Sequence, residues 1–289
     1  MSSPKVIVGI PVFNGEGMIS ECLDCVVNQT YQNIEIRVYD NASTDRTASI
    51  VRDYANRDNR IKFIVRDINV GAAKNFMDLL HEADAPYFMW RAHDDLSSLN
   101  FIEELILAFT SKVDAKLAVS SVSTVRKDRP TQKTIPRPPT GGDLRQIKEL
   151  LFDSHASWFY GLWETDALKR IFDYVHPRYP HPWASDHLAM YPVFLKREIV
   201  MAPKASFTQR IVLKESNKVL VRPSVAELFY LRKQFRRVCE HYIEESGFFG
   251  WKRMAIRFLT LFYVGKRVYK LRKLLLRGAR EKLFSAFER

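Results

Sequence analysis

Pro86-Tyr-Phe-Met-Trp-Arg-Ala-His-Asp-Asp-Leu-Ser97 joins a short apolar, aromatic run to an abrupt acidic stop. Pro86 to Trp90 has the length and content of a buried strand. Asp94 and Asp95 then stand side by side at its end, where two carboxylates are costly to desolvate unless a cation meets them. Hard divalent cations on phosphate-bearing substrates commonly take only one or two protein carboxylates, so an acid pair at a strand end suits that task. The competing role is a solvated turn leading into a helix that starts near Ser98. The flanking elements bear on the choice.

From the N-terminus, strand and helix patterns alternate. Lys5-Val-Ile-Val-Gly-Ile10 reads as a strand closed by Pro11, with Val12-Phe-Asn-Gly15 as a loop. Met18, Ile19, Cys22, Leu23, Val26 and Val27 follow a helical period. Ile34-Glu-Ile-Arg-Val-Tyr39 is a second strand ending in Asp40-Asn-Ala-Ser-Thr-Asp45, with Thr44 as the expected N-cap of a helix to about Asn56. Ile61 to Val65 is a third strand, and Asn69-Val-Gly71 turns into a helix over Ala72 to Leu80. The acid-ended stretch supplies the fourth strand, Phe101 to Phe109 another helix, and Lys116 to Val122 a fifth strand. Such alternation predicts an α/β fold with a mostly parallel sheet between helices.

In such a sheet ligands bind beyond the carboxyl ends of the strands. The polar clusters fall there: Pro11-Val-Phe-Asn14, Asp40-Asn-Ala-Ser43, Asn69-Val-Gly71 and His93-Asp-Asp95. Together they suit a nucleotide-sized ligand. Gly9-Ile-Pro-Val-Phe-Asn-Gly15 lacks the G-x-G-x-x-G of dinucleotide folds, and no G-x-x-x-x-G-K-[ST] loop is present. Without a glycine cradle a cation must do more to hold a diphosphate, which returns the weight to Asp94 and Asp95.

Val8-Gly-Ile-Pro-Val-Phe-Asn14, Tyr39-Asp-Asn-Ala-Ser-Thr-Asp45, Asn69-Val-Gly71 and His93-Asp-Asp95, in that order, resemble a family 2 glycosyltransferase of the GT-A fold over about the first 210 residues. The resemblance implies inverting transfer of a sugar from a nucleoside-diphosphate sugar, with Mg²⁺ or Mn²⁺ as cofactor. It implies that Pro11 and Phe13 line the base pocket, that Asp40 contacts the base, and that Asn41 and Asn69 belong to the donor site. Asp94 then contacts the ribose or sugar, and Asp95 binds the metal. The family often shows D-x-D-D at this point, whereas this chain has Ala92-His-Asp-Asp95. An acid at the start of a later helix is the family's general base, often as Glu-Asp; here the pair is Ser185-Asp186, so the role falls on Asp186 alone.

The middle of the chain is less regular. Arg126 to Asp143, rich in proline and carrying Gly141-Gly142, reads as a mobile loop and a candidate lid. Trp158-Phe-Tyr-Gly-Leu-Trp163 reads as a buried strand in which Gly161 permits close approach of a ligand or another backbone. His176-Pro-Arg-Tyr-Pro-His-Pro-Trp183 reads as a stiff loop entering a helix at Ala184, with Asp186 in the first turn, where the dipole favours its ionised form. Phe207 to Leu213 is a last strand; Arg210 within it is read as one half of a surface ion pair, with contact to a phosphate as the alternative.

From Ser224 onward the pattern is helical, with a break at Ser246-Gly247. Residues 250–289 hold twelve Lys or Arg against two acids, so ten of the chain's twelve net positive charges lie there. Trp251, Met254, Phe258, Leu261 and Phe262 interleave with that basic cluster, and Arg257 interrupts the apolar run. The pattern predicts an interfacial, membrane-associating helical extension rather than a span; the alternative is a bundle packed on the catalytic domain. The expected division is residues 1–215 as catalytic domain and 216–289 as extension. Met1 leads into a strand rather than a signal peptide, and Cys22, Cys25 and Cys239 read as core thiols of a reducing compartment.

These readings combine into a cytoplasmic enzyme at the inner face of a membrane, passing a sugar to a saccharide acceptor carried on a polyprenyl diphosphate. Anionic lipid is an expected partner; nucleic acid is not, since the basic segment holds no recognised nucleic-acid motif. The alternatives are a sugar-phosphate nucleotidyltransferase, whose Gly-rich basic first loop is missing, and a non-catalytic lipid- or nucleic-acid-binding protein with a vestigial nucleotide site.

Overall fold

The computed structural model describes residues 3–211 and 223–277. The chain forms two compact units, the first made of Met1–Pro138, His155–Arg170 and Glu198–Val212, the second of Pro139–Ser154, Ile171–Arg197 and Leu213–Arg289. The expected boundary between residues 215 and 216 lies outside the described residues.

The first unit runs β1 (Val6–Val12), α1 (Ile19–Val27), β2 (Ile34–Asp40), α2 (Thr47–Ala55), β3 (Ile61–Val65), α3 (Ala72–His81) and β4 (Tyr87–Trp90). It continues with β5 (Leu96–Ser97), α4 (Phe101–Thr110), β6 (Leu117–Arg126), β7 (Arg129–Thr134), β8 (Leu162–Glu164) and β9 (Ile199–Ile211). One sheet takes the order β3-β2-β1-β4-β8-β6-β9-β5, with β7 paired to β6. Every residue of β1 is buried, as its unbroken apolar run requires of a strand covered on both faces. The expected parallel arrangement holds across β3-β2-β1-β4 and between β6 and β9. The other pairings are antiparallel, so the sheet is mixed beyond β4. Chain order reverses about β1, which has β2 on one side and β4 on the other, and such a switch point opens a crevice at the strand ends.

Several local expectations need correcting. Pro11 and Val12 lie inside β1 rather than beyond it, because their backbones remain in register with Tyr39 and Asp40. Thr44 does not cap α2: its amide donates to Asn14 Oδ1, and the helix starts only at Thr47, whose amide donates to Asp45 Oδ1 at 2.9 Å. The expected lid is in part a hairpin, since β7 pairs antiparallel with β6. Pro130 is accommodated because, among the described residues, β7 has no second strand neighbour to need its missing N–H. Trp158 to Trp163 is not one strand but a 3₁₀ turn, Ala156–Tyr160, followed by the short β8. The role given to Gly161 does hold: a Cβ there would stand 2.2 Å from the backbone oxygen of Ala118 on β6. β9 is one continuous strand from Ile199, its far expected end at Leu213 lying outside the described residues.

The second unit is helical: α5 (Asp143–Asp153), the later part of α6 (Thr165–Arg178), α7 (Ser185–Lys196), α8 (Val225–Glu245) and α9 (Gly250–Arg267). His176 and Pro177 belong to the last turn of α6 instead of a loop, a place where one lost backbone bond disrupts little of the helix. Ser224 closes a capping box with Glu227 at the start of α8. α7 is buried from His187 to Leu195. Tyr263 of α9 reaches into the same core, donating to the His187 carbonyl at 2.9 Å. Cys22 and Cys239 are buried and Cys25 is partly so; burial pushes the Cys22 thiol up to about 12.

Candidate active site

The loops after β1 and β2 are stitched to each other. Asn14 takes a left-handed conformation at φ 50°, its amide donates to Ser43 Oγ, and its own Oδ1 accepts from Thr44. The Gly15 amide donates to Thr47 Oγ1 at 2.8 Å. Asn41 and Asn69 hold the next loop: Asn41 Nδ2 donates to Asn69 Oδ1, Asn41 Oδ1 accepts from the Val70 amide, and Asn69 Oδ1 also accepts from Gly71. The polar residues of three strand ends thus fix one another's loops. Asp40 is fully buried at the end of β2; its Oδ1 accepts from the Ser43 amide and hydroxyl, while Oδ2 has no hydrogen-bond partner among the described residues. Leaving a buried acceptor unpaired costs about 1–3 kcal/mol, more when charged, which a donor on a bound ligand would recover. Pro11 is buried, whereas the Phe13 ring is 41% exposed just past the strand end.

Asp94 and Asp95 follow β4, across the switch point from Phe13. Asp95 is only 4% exposed, and burial pushes its carboxyl up to about 7, against the Arg210 amide, which donates to its Oδ1 at 2.8 Å. The nearby Asp94 charge adds to the rise, and Arg91 and Arg210 oppose it. Arg210 is more than half of a surface pair: it bonds Glu21, and its Nε donates to the Asp94 backbone oxygen, tying β9 to the acidic turn. Arg91 is buried between the rings of Phe101 and Phe207, each centroid 4.9 Å from its guanidinium. The available signal for Arg91 was a cation ending an apolar strand immediately before two acids. Nothing local in sequence placed Arg210 against Asp94 and Asp95, more than a hundred residues away.

Asp186 belongs to the second unit and lies in the first turn of α7, behind Ala184 in a left-handed conformation. Its Oδ1 accepts from the His187 amide at 2.8 Å. Burial nevertheless pushes its carboxyl up to about 6, against that amide and the charge of Arg267. The helix start still favours the ionised form through the His187 amide, but desolvation is the larger influence on this carboxyl. The residue as a whole is half-buried, so the perturbed carboxyl does not lie in the closed core.

Among the described residues no three His, Cys, Asp or Glu side chains converge as ready-made metal ligands. A divalent cation would therefore rest on Asp95, with phosphate oxygens and water completing its shell, as is usual for cations carried by phosphate substrates. The donor set fits, because Asp95 is a buried carboxylate with one oxygen held by the Arg210 amide and a second acid, Asp94, beside it.

The family model described as glycosyl transferase family 2 matches residues 7–172. An uncharacterized glycosyltransferase of Rickettsia typhi is 37% identical over 114 residues, covering 39% of this chain and 34% of that one. The chain spans 14% to 42% of the length of eight such curated relatives. Among solved structures, S. aureus TarS 1-349 in complex with UDP-GlcNAc is similar at a TM-score of 0.68 and 19% identity, covering 91% of this chain and 73% of that one. Mannosyltransferase PcManGT from Pyrobaculum calidifontis, in complex with GDP-Man and Mn²⁺, gives 0.50 at 17% identity over 96% of this chain and 76% of that one. At these identities the likeness speaks for the fold, the GT-A arrangement.

Proposed function

Since the chain belongs to glycosyl transferase family 2, we propose that it moves a sugar from a nucleoside-diphosphate sugar to a saccharide acceptor, with inversion, in cell-surface polysaccharide or glycan assembly. The observation that carries this reading is the buried Asp95 across the switch point from the open Phe13 ring and the unpaired Asp40 Oδ2. The donor base lies against Pro11 and Phe13 and donates a hydrogen bond to Asp40. Asn41 and Asn69 act on the donor by holding the loop that receives it. Asp94 accepts from a ribose or sugar hydroxyl. When bound on Asp95, a divalent cation neutralises the charge gathering on the departing diphosphate. UDP-GlcNAc on TarS and GDP-Man with Mn²⁺ on the mannosyltransferase support a donor of this class without choosing its base.

Asp186 takes the proton from the acceptor hydroxyl as that oxygen attacks the anomeric carbon. The new C–O bond forms on the face opposite the diphosphate, and the pair of electrons of the broken bond leaves with it. A base working near neutrality benefits from a carboxyl raised toward 6, and general base catalysis typically contributes ~10²–10⁴-fold.

Residues 216–289 serve in this reading as the extension that brings the catalytic domain, residues 1–215, to an anionic membrane and a polyprenyl-linked acceptor. α9 buries Ile256, Thr260, Tyr263 and Val264 and leaves Trp251, Met254, Phe258, Leu261 and Phe262 exposed. One apolar face is thus packed and the other is not. No described helix is long and apolar enough to cross a membrane.

The experiment is a panel of nucleotide sugars with Mg²⁺ or Mn²⁺ and a saccharide acceptor, following the released product. Acceptor-dependent nucleoside diphosphate is expected. Inorganic diphosphate in its place indicates a nucleotidyltransferase, and no release with any donor a binding protein.

A further inference from the structure

We propose that the groove beside α8 and α9 binds the terminal phosphate or diphosphate of a membrane lipid, with the lipid chain lying on the apolar residues in its lining. The groove measures about 1400 Å³, and all of its lining residues belong to the second compact unit. Eight Lys or Arg side chains line it against a single carboxylate, Glu240. Three of those cations are already engaged: Arg257 pairs with Glu240 and Glu244, Arg232 donates to the Tyr269 carbonyl, and Lys266 donates to that of Phe152. Glu240, the one acid in the lining, is thereby occupied as well.

The side chains of Lys233, Arg236, Arg237, Lys270 and Arg272 form no ion pair or hydrogen bond with another described residue. Lys233, Arg236 and Arg237 stand three and four positions apart, which puts them on one face of α8. Like charges gathered around one concavity repel until an anion joins them. Guanidinium forks match phosphate oxygens in bidentate geometry, and a terminal phosphate offers more charge and more free oxygens than a diester.

The lipid half follows from the rest of the lining. Phe229, Leu261, Phe262 and Leu271 line the same groove and are 39%, 43%, 56% and 47% exposed. A soluble phosphate would leave these four in water, and a nucleic acid, whose bases stack on aromatic rings, would still leave Leu261 and Leu271 uncovered. An amphiphile with an anionic head and a hydrocarbon chain satisfies both. The apolar face continues along α9 through Phe258, Met254 and Trp251, so a chain reaching a bilayer would not cross polar surface.

The inference rests on the membrane-attached reading for delivery of the lipid, but the two are separable by experiment. Sedimentation would compare phosphatidylcholine vesicles doped with phosphatidic acid against vesicles doped with phosphatidylglycerol to the same zeta potential. Binding to the terminal phosphate is expected to be tighter by about tenfold, one well-placed charged contact. Replacing Lys233, Arg236 and Arg237 together by Ala should erase that preference; all three are exposed, so the fold is spared. Replacing Lys62, Lys127 and Lys204, exposed lysines of the first unit, removes equal charge and should leave the preference intact.

In calorimetry, soluble farnesyl diphosphate should bind about tenfold tighter than inorganic diphosphate. Equal binding to both vesicle types, or equal loss in both triple variants, overturns the groove and leaves simple surface attachment standing. Farnesyl diphosphate binding that needs Lys233, Arg236 and Arg237, without binding to either vesicle, keeps the groove and removes the attachment reading. Inorganic diphosphate binding as tightly as farnesyl diphosphate overturns the lipid assignment.

Discussion

At the scale of single residues, the chemistry turns on carboxylates in unequal surroundings. Asp95→Ala is expected to abolish transfer and to lower the unfolding midpoint only modestly, since it removes a buried charge but leaves the Arg210 amide without its acceptor. Full activity of that variant in a chelating buffer would remove the cation from the mechanism. Asp186→Asn is expected to keep donor affinity and to lose ~10²–10⁴ in kcat. In wild type the transfer rate should rise with pH through about 6 as Asp186 ionises, and this limb should be missing from the variant. The stability effect has the opposite sense. A carboxyl raised to about 6 in the fold binds its proton more tightly than it does in the unfolded chain, where it titrates near ~4. Its contribution is fully present below the unfolded value and is lost as pH rises through the folded one. Denaturant titrations between pH 4 and 7 should therefore show wild type losing stability relative to Asp186→Asn. Donor binding lost with turnover retained at saturation would make Asp186 a structural residue instead.

At the scale of elements, the contact between β8 and β6 is set by Gly161. With a Cβ placed 2.2 Å from a backbone oxygen, Gly161→Ala forces the strands to shift rather than a side chain to rotate. Overpacking of this kind costs ~1–3 kcal/mol, so the denaturation midpoint should fall with little change in slope. An unchanged midpoint would mean that this part of the sheet yields easily. The elements misjudged from sequence share a physical cause. β7 looked like a loop because its residues are polar and include proline, yet an edge strand needs no apolar face and tolerates a missing N–H. Thr44 looked like a cap because a cap is recognised locally, whereas its actual partner, Asn14, is thirty positions away.

At the scale of the whole molecule, charge and apolar exposure lie together in α9 and the residues after it. Each Lys or Arg near an anionic bilayer is worth up to about 1 kcal/mol, so several suffice for reversible attachment. Exposed Trp251, Phe258 and Phe262 add a contribution that salt does not screen. Binding to anionic vesicles should weaken as salt rises without vanishing. Glu in place of Lys270 and Lys273 should release the protein while transfer to a water-soluble acceptor continues, Lys266 being spared because it donates to the Phe152 carbonyl. Arg267 is left out of that set because it donates to the Leu151 and Ser154 carbonyls and its charge acts on Asp186. Equal sedimentation of wild type and the charge-reversed variant would make the segment an ordinary helical bundle.

The sequence by itself determined the α/β class, the placing of polar clusters at strand ends and the family. These follow from hydrophobic period and from short motifs that act within a few residues of themselves. The concentration of charge beyond residue 250 is likewise a property of composition. Only the tertiary structure decided how β1 and β4 face each other across the switch point, and that Arg210 ties β9 to the Asp94-Asp95 turn. It alone decided that burial raises the Asp186 carboxyl, and which face of α9 stays open. Periodicity reports which side chains avoid water. Which polar group remains unpaired, and which carboxylate is denied its counter-charge, depends on neighbours that the chain brings together from afar.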